Sequence, residues 1–136
     1  MGLRLEAIDT NLIMRAILYD VPVQAEKVYE LLETPASIFY APDLAITEVV
    51  YNLEGGLYGK WDRESIVNAL GGFLKAPRID YNKPLFDRIF ELYLTHPKLS
   101  FNDCYLAAHA ADKERVPIWT FDKAFAKQTK EAKLLD

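Results

Sequence analysis

The stretch Leu5-Glu6-Ala7-Ile8-Asp9-Thr10-Asn11 decides how the rest of the chain reads. Leu5, Ala7 and Ile8 supply the apolar character of a short strand, which stops at three polar residues. Leu12, Ile13, Ala16 and Ile17 follow at helical spacing, so a helix starts just after the break. A strand that ends at the foot of a helix is the first βα unit of an α/β domain. Asp9 then sits at the carboxyl end of that strand, where open α/β sheets bind their ligands. Further carboxylates that reach the same edge would share a site with Asp9.

Outward from this unit, helical and strand patterns alternate. Pro22 marks a turn, and Ala25 to Leu32 reads as a helix with Val28, Leu31 and Leu32 on one face, closed by Pro35. Ile38-Phe39-Tyr40-Ala41 is a short apolar run with aromatic content, a strand. Pro42-Asp43 breaks it and starts a helix striped by Ile46, Val49, Val50, Leu53 and Leu57. Gly55, Gly56 and Gly59 loosen that helix, and Asp62 caps the next, which carries Ile66, Val67, Leu70, Phe73 and Leu74. Gly71-Gly72 falls inside this pattern and implies either close helix packing or a break, since each Gly costs about 1 kcal/mol against Ala. Arg78 to Tyr81 is a weak strand. A helix with Leu85, Phe86, Ile89, Phe90 and Tyr93 follows, then a strong one from Ser100 to Glu114. Val116 to Thr120 is a strand, Lys123 to about Lys127 a short basic helix, and Leu134-Leu135 a final edge strand. The alternation predicts an α/β domain with a mainly parallel sheet and helices on both faces.

Composition agrees. With 136 residues the chain is expected to be a single domain, 1–136, and 51% hydrophobic content fits one globular core. Cys104 is the only cysteine, so no disulfide forms within the chain and a reducing, cytoplasmic setting is expected. No apolar run follows Arg4 as a secretory leader requires, and none reaches the length of a membrane span. The net charge of -4 argues against a protein that coats nucleic acid by charge alone, but leaves nucleic acid open as a substrate.

Four carboxylates stand out. Asp9 and Asp122 each follow a strand and open a helix. Asp103 lies in the first turn of its helix, with Leu106, Ala107 and Ala110 as its i+3, i+4 and i+7 neighbours. A carboxylate on that apolar face is costly unless something positive meets it. Glu48 lies early in the helix after the second strand. Each also has an ordinary explanation. Asp9 and Asp122 are good N-caps, Ser100-Phe101-Asn102-Asp103 fits a capping box, and Glu48 lies outside the main apolar stripe, near Leu44 and Tyr51. In a parallel sheet, however, these positions converge on one edge. Carboxylates gathered there repel each other unless a hard cation such as Mg2+ or Mn2+ lies between them.

Four segments carry a resemblance in order. They are Ala7-Ile8-Asp9-Thr10-Asn11, Ile46-Thr47-Glu48-Val49-Val50, Ser100-Phe101-Asn102-Asp103 with Ala107-Ala108, and Thr120-Phe121-Asp122. Together they resemble the motifs of PIN-domain ribonucleases, and within them the VapC-like toxins of toxin–antitoxin pairs. The resemblance covers nearly the whole chain. It implies a three-layer α/β/α sandwich around about five parallel strands and a metal-dependent site that cleaves RNA. Asp9 and Asp103 would be the main metal ligands for Mg2+ or Mn2+, with Glu48 and Asp122 completing the acidic cluster. Thr120 would bring a hydroxyl near it, and Asn11 would orient Asp9 or cap the helix. The implied partners are an RNA substrate, a VapB-like antitoxin and a second copy in a homodimer. Cys104 stands where the family often has Ala, and Trp119 makes the last strand bulky.

Rival readings are weaker. A non-catalytic PIN-like scaffold or RNA-binding module would use the same carboxylates as caps and surface charge. A receiver-type phosphoacceptor resembles a pattern with paired acids after its first strand, but Ala7 and Ile8 precede Asp9 here. A haloacid-dehalogenase-type phosphatase wants an Asp where Asn11 stands. Cys104 reads as a small buried hydrophobe, and His96 and His109 offer no zinc-ligand spacing. Lys123, Lys127, Lys130 and Lys133 read as a solvated face that could also hold phosphates.

Overall fold

The computed structural model describes residues 2–112 and 116–135. The chain falls into two compact units, Met1–Asn82 and Lys83–Asp136. The first contains β1 (Arg4–Ala7), α1 (Thr10–Leu18), α2 (Pro22–Leu32), β2 (Ser37–Tyr40), α3 (Asp43–Glu54), α4 (Arg63–Leu74) and β3 (Ile79–Asp80). The second contains α5 (Lys83–Thr95), α6 (Phe101–Asp112), β4 (Ile118–Thr120), α7 (Lys123–Gln128) and β5 (Ala132–Leu134). Every strand expected from the sequence is present, and every ladder is parallel. The ladders divide, however, into a three-stranded sheet, β1-β2-β3, and a two-stranded sheet, β4-β5.

In the first unit, β1 pairs with β2 from Arg4↔Ser37 to Ala7↔Tyr40, and β2 pairs with β3 through Phe39↔Ile79 and Tyr40↔Asp80. The pairing runs on past the strands: Ile8 N–H donates to the Tyr40 carbonyl at 2.9 Å and Ala41 N–H to the Asp80 carbonyl at 2.8 Å. These bonds hold the chain taut up to Asp9. Helix α1 then buries Ile13, Met14 and Ala16, and α3 buries Ala45, Ile46, Val49, Val50 and Leu53. Pro22 opens α2 rather than only ending what precedes it, because a proline lacks the N–H that the first helical position leaves unused. Helix α4 runs straight through Gly71-Gly72, so the expected break is absent. Close packing does not explain the pair either, since a Cβ on either glycine would meet nothing within 4 Å.

In the second unit, α5 and α6 pack through aromatic side chains. The rings of Tyr93 and Phe101 meet edge to face at 5.2 Å, and those of Phe90 and Phe101 lie 6.3 Å apart. Each such pair adds roughly 0.5–1.5 kcal/mol beyond the area it buries. Cys104, Ala107 and Ala108 are fully buried, as their shared helical face predicts. The expected end of α6 at Glu114 lies outside the described residues. β4 begins at Ile118 and not at Val116. Pro117 has no N–H to donate, so the ladder starts with Ile118 N–H to the Glu131 carbonyl at 2.8 Å. Among the described residues, no helix is long and apolar enough to cross a membrane.

Candidate active site

The β1–α1 junction is built by one carboxylate. Asp9 takes an extended backbone, φ −99° and ψ 176°, and its Oδ1 accepts the Leu12 N–H at 2.9 Å. That bond satisfies one of the donors a helix start leaves open and fixes where α1 begins. Oδ2 of the same carboxylate makes no hydrogen bond among the described residues. Thr10, the first residue of α1, donates its Oγ1–H to Glu48 Oε2 at 3.0 Å. Asp9, Thr10, Asn11 and Glu48 line one cleft of about 570 Å3, with Asn52 beside Glu48.

The position of Glu48 follows from α3. Its buried face is Ala45, Ile46, Val49, Val50 and Leu53. Ala45, Glu48 and Asn52 are spaced by three and four residues, so they form a row along the edge of that face. Glu48 is exposed and stands on the cleft together with Leu44, one turn before it, whereas Tyr51, 74% exposed, does not line the cleft. Asn11 lines the same cleft, but its side chain makes no hydrogen bond among the described residues. The cap is supplied by Asp9 itself.

In the second unit, Asp122 repeats the arrangement of Asp9. Its Oδ1 accepts Ala124 N–H at 2.9 Å and Phe125 N–H at 3.1 Å, opening α7. Thr120 supports it through the backbone: the Thr120 Oγ1 accepts the Asp122 N–H at 2.9 Å. Asp103 is half-buried in the first turn of α6. Its N–H donates to Ser100 Oγ at 3.1 Å, which is one leg of a capping box. The return leg is not made, and the Asp103 carboxylate has no hydrogen-bond partner among the described residues. Capping therefore does not account for its charge.

None of these four carboxylates forms an ion pair with Lys or Arg among the described residues, in contrast to Glu6, Asp20 and Asp87, which meet Arg4, Arg15 and Lys83. The structure brings Asp9 and Glu48 to one cleft of the first unit and sets Asp103 and Asp122 on elements of the second. Among the described residues, no three His, Cys, Asp or Glu side chains group closely enough to hold a metal ion. The Asp9–Glu48 pair nevertheless suits a hard cation by its chemistry. Both donors are oxygen, each carboxylate keeps an uncommitted oxygen, and Mg2+ is commonly held by one or two carboxylates while it retains several waters. A larger cleft of the first unit, about 700 Å3, is walled by Ile17, Leu32, Phe73 and Ile79 and holds none of these residues. Donor chemistry, not size, therefore marks the candidate site.

The PIN domain family model matches residues 7–131. The chain belongs to the PIN domain family. Among curated proteins, none matches the chain. PIN domains are generally nucleases that use divalent metal ions. Two residues of this PIN domain's cleft escaped the sequence reading. Thr10 looked like part of the polar stop, and nothing in its neighbours reveals a bond 38 residues away. Asn52 was legible in principle, as the residue one turn beyond Glu48 on the same helical row.

Other residues have ordinary roles. Lys133 lies over the Trp119 ring at 5.8 Å, across the β4–β5 pair. His109 stacks on Tyr105 with centroids 5.7 Å apart. Cys104 is fully buried on α6.

Proposed function

We propose that this PIN domain is a Mg2+- or Mn2+-dependent ribonuclease and the toxin of a VapBC-type toxin–antitoxin pair. The observation that carries the reading is the Asp9–Thr10–Glu48 arrangement, an oxygen-donor pair at the end of a parallel strand with no cation of its own. Asp9 and Asp103 act as the principal ligands, with Glu48 and Asp122 completing the set. A family match that runs from residue 7 to 131 supports treating the two units as one PIN domain. A bound divalent cation would supply an activated water and offset charge on the phosphate. The chain's own carboxylates, Asp9 and Asp103 first, would hold that cation at the phosphodiester. Cleavage this way leaves a 3′-hydroxyl and a 5′-phosphate and does not use the RNA 2′-hydroxyl. Phe121, 77% exposed beside Asp122, offers a face on which an unpaired base stacks. The tail lysines Lys123, Lys127 and Lys130 are exposed and suit backbone phosphates.

The toxin reading adds three expectations. The active form is a homodimer. It works in the cytoplasm. It is neutralised by a VapB-like antitoxin whose basic segment lies across the acidic groove, since the surface to be covered is negative.

A second reading, a non-catalytic PIN-like scaffold, draws support from the capping roles of Asp9 and Asp122. The purified chain incubated with a mixed pool of structured RNAs, with Mn2+ and with EDTA, separates the two. Metal-dependent products bearing 5′-phosphates support the nuclease; intact RNA in both arms supports the scaffold.

A further inference from the structure

We propose that Thr10 is a positioning residue for Glu48, holding that carboxylate to the β1–α1 junction so that it acts in concert with Asp9; this rests on the nuclease reading of the same cleft. The Thr10 hydroxyl is unusual in its direction. A threonine within a helix commonly turns its Oγ1 back onto the carbonyl four residues earlier. Thr47 does so onto the Asp43 carbonyl at 2.9 Å, and Thr95 onto the Glu91 carbonyl at 2.8 Å. Thr10 opens its helix, so the residue four back, Glu6, belongs to β1 and offers no helical carbonyl. Its hydroxyl leaves its own element and donates to Glu48 Oε2.

The origin of that donor is itself fixed. Asp9 sets the first turn of α1 through the Leu12 N–H, and β-branching restricts Thr10 at χ1. The receiver is not fixed by anything else. Glu48 is an exposed side chain with several rotatable bonds, and among the described residues Thr10 is its only hydrogen-bond donor and it has no Lys or Arg partner. Without Thr10, Glu48 spreads over several rotamers and spends less time against the β1–α1 junction. With it, Oε2 is occupied, Oε1 stays available, and two carboxylates from separate elements share one geometry. Groups that orient a metal's ligands in this way commonly change metal affinity or activity by roughly tenfold to a hundredfold when removed.

The test uses the full chain, Mn2+ as the probe, and two readouts: Mn2+ affinity by calorimetry and cleavage rate on a fixed RNA. Thr10→Val keeps the shape and deletes the donor. The expected result is a loss of roughly tenfold or more in Mn2+ affinity, a fall in kcat with little change in KM, and an unchanged circular dichroism spectrum. Thr10→Ser restores the hydroxyl and recovers most of the loss. In a Glu48→Ala background, Thr10→Val has no further effect, because the acceptor of its hydroxyl is already gone. The positioning role is overturned if Thr10→Val matches the wild type in both readouts, if Ser fails to rescue, or if the two substitutions simply add. A wild type that neither binds Mn2+ nor cuts RNA overturns the nuclease reading and the role of Thr10 with it. An active wild type with an unaffected Thr10→Val overturns the role alone.

Discussion

Exchanging Asp9 for Asn removes one charge and leaves the local architecture in place. Oδ1 of Asp9 caps α1 through the Leu12 N–H, and an Asn side-chain oxygen accepts the same bond. Asn and Asp are near-equal N-caps, so stability without metal should change by less than about 0.5 kcal/mol. The cation loses more. Asp9 is exposed, which selects the water-like end of the dielectric range. There, unit charges about 4 Å apart attract by about 1 kcal/mol, so a dication loses about 2 kcal/mol, or about thirtyfold in affinity. Direct coordination only increases that figure. Asp9→Ala is the matched control: it loses both charge and cap, and its melting temperature should fall by about 3–5 °C for a loss of about 1 kcal/mol. Calorimetric Mn2+ titration, RNA cleavage and thermal melts in EDTA measure the three quantities on the same preparations. An Asp9→Asn protein that binds Mn2+ within threefold of wild type and cleaves at the wild-type rate would refute the assignment.

Three further outcomes are expected. Gly71→Ala should stabilise the chain by about 1 kcal/mol in urea denaturation, because the site is helical and an added Cβ meets nothing within 4 Å; a loss of stability would contradict the open space beside the glycine. Asp62 caps α4 through the Ser65 N–H at 2.7 Å, and that backbone hydrogen bond holds its carboxyl below its ordinary value of 3.8. A depressed folded pKa contributes stability that is complete above the unfolded pKa and is lost as pH falls through the folded one. The advantage of wild type over Asp62→Ala should therefore shrink as the pH falls through and below the ordinary carboxylate value of 3.8, and a gap that widens there contradicts the bond. For Asp103→Asn, Mn2+ at a hundredfold excess over its dissociation constant should raise wild-type stability by about 2.7 kcal/mol and the variant's by much less, whereas equal shifts in thermal melts count against Asp103 as a ligand.

Much of the architecture was legible because local chemistry and long-range packing agree in this chain. The caps Asp9, Asp62 and Asp122 stand one residue before their helices, as the preference of Asp for that position predicts. Boundaries slipped where proline acted differently from its usual role as a stop. Pro22 starts α2, and Pro117 delays β4. Glu48 could not be placed from its helical face alone, because the edge of a buried stripe and the start of a solvated one differ by a fraction of a turn. Its partner in the first unit lies 38 residues away. Gly71-Gly72 misled in the opposite sense, since neither a break nor a close neighbour accompanies it. The division of the strands into two ladders was not legible at all: short apolar runs reveal that strands exist, while pairing depends on the whole chain.

The doubled duty of the capping aspartates bears on how this chain can change over generations. At Asp9 and Asp122, one oxygen of the side chain holds a helix start while the other makes no hydrogen bond among the described residues. An Asp codon becomes an Asn codon by a single G-to-A change. Such a change would leave the helix start satisfied and remove the charge. Under the proposed nuclease reading, loss of activity at these positions would be decoupled from loss of folding, and a silenced copy would not be cleared by the proteolysis that removes unfolded chains. If the nuclease is a burden to its host, the shortest genetic route to relief produces an inert protein that still folds, rather than an absent one. Alanine, which needs a different base change, has no such shelter, because it gives up the cap together with the charge.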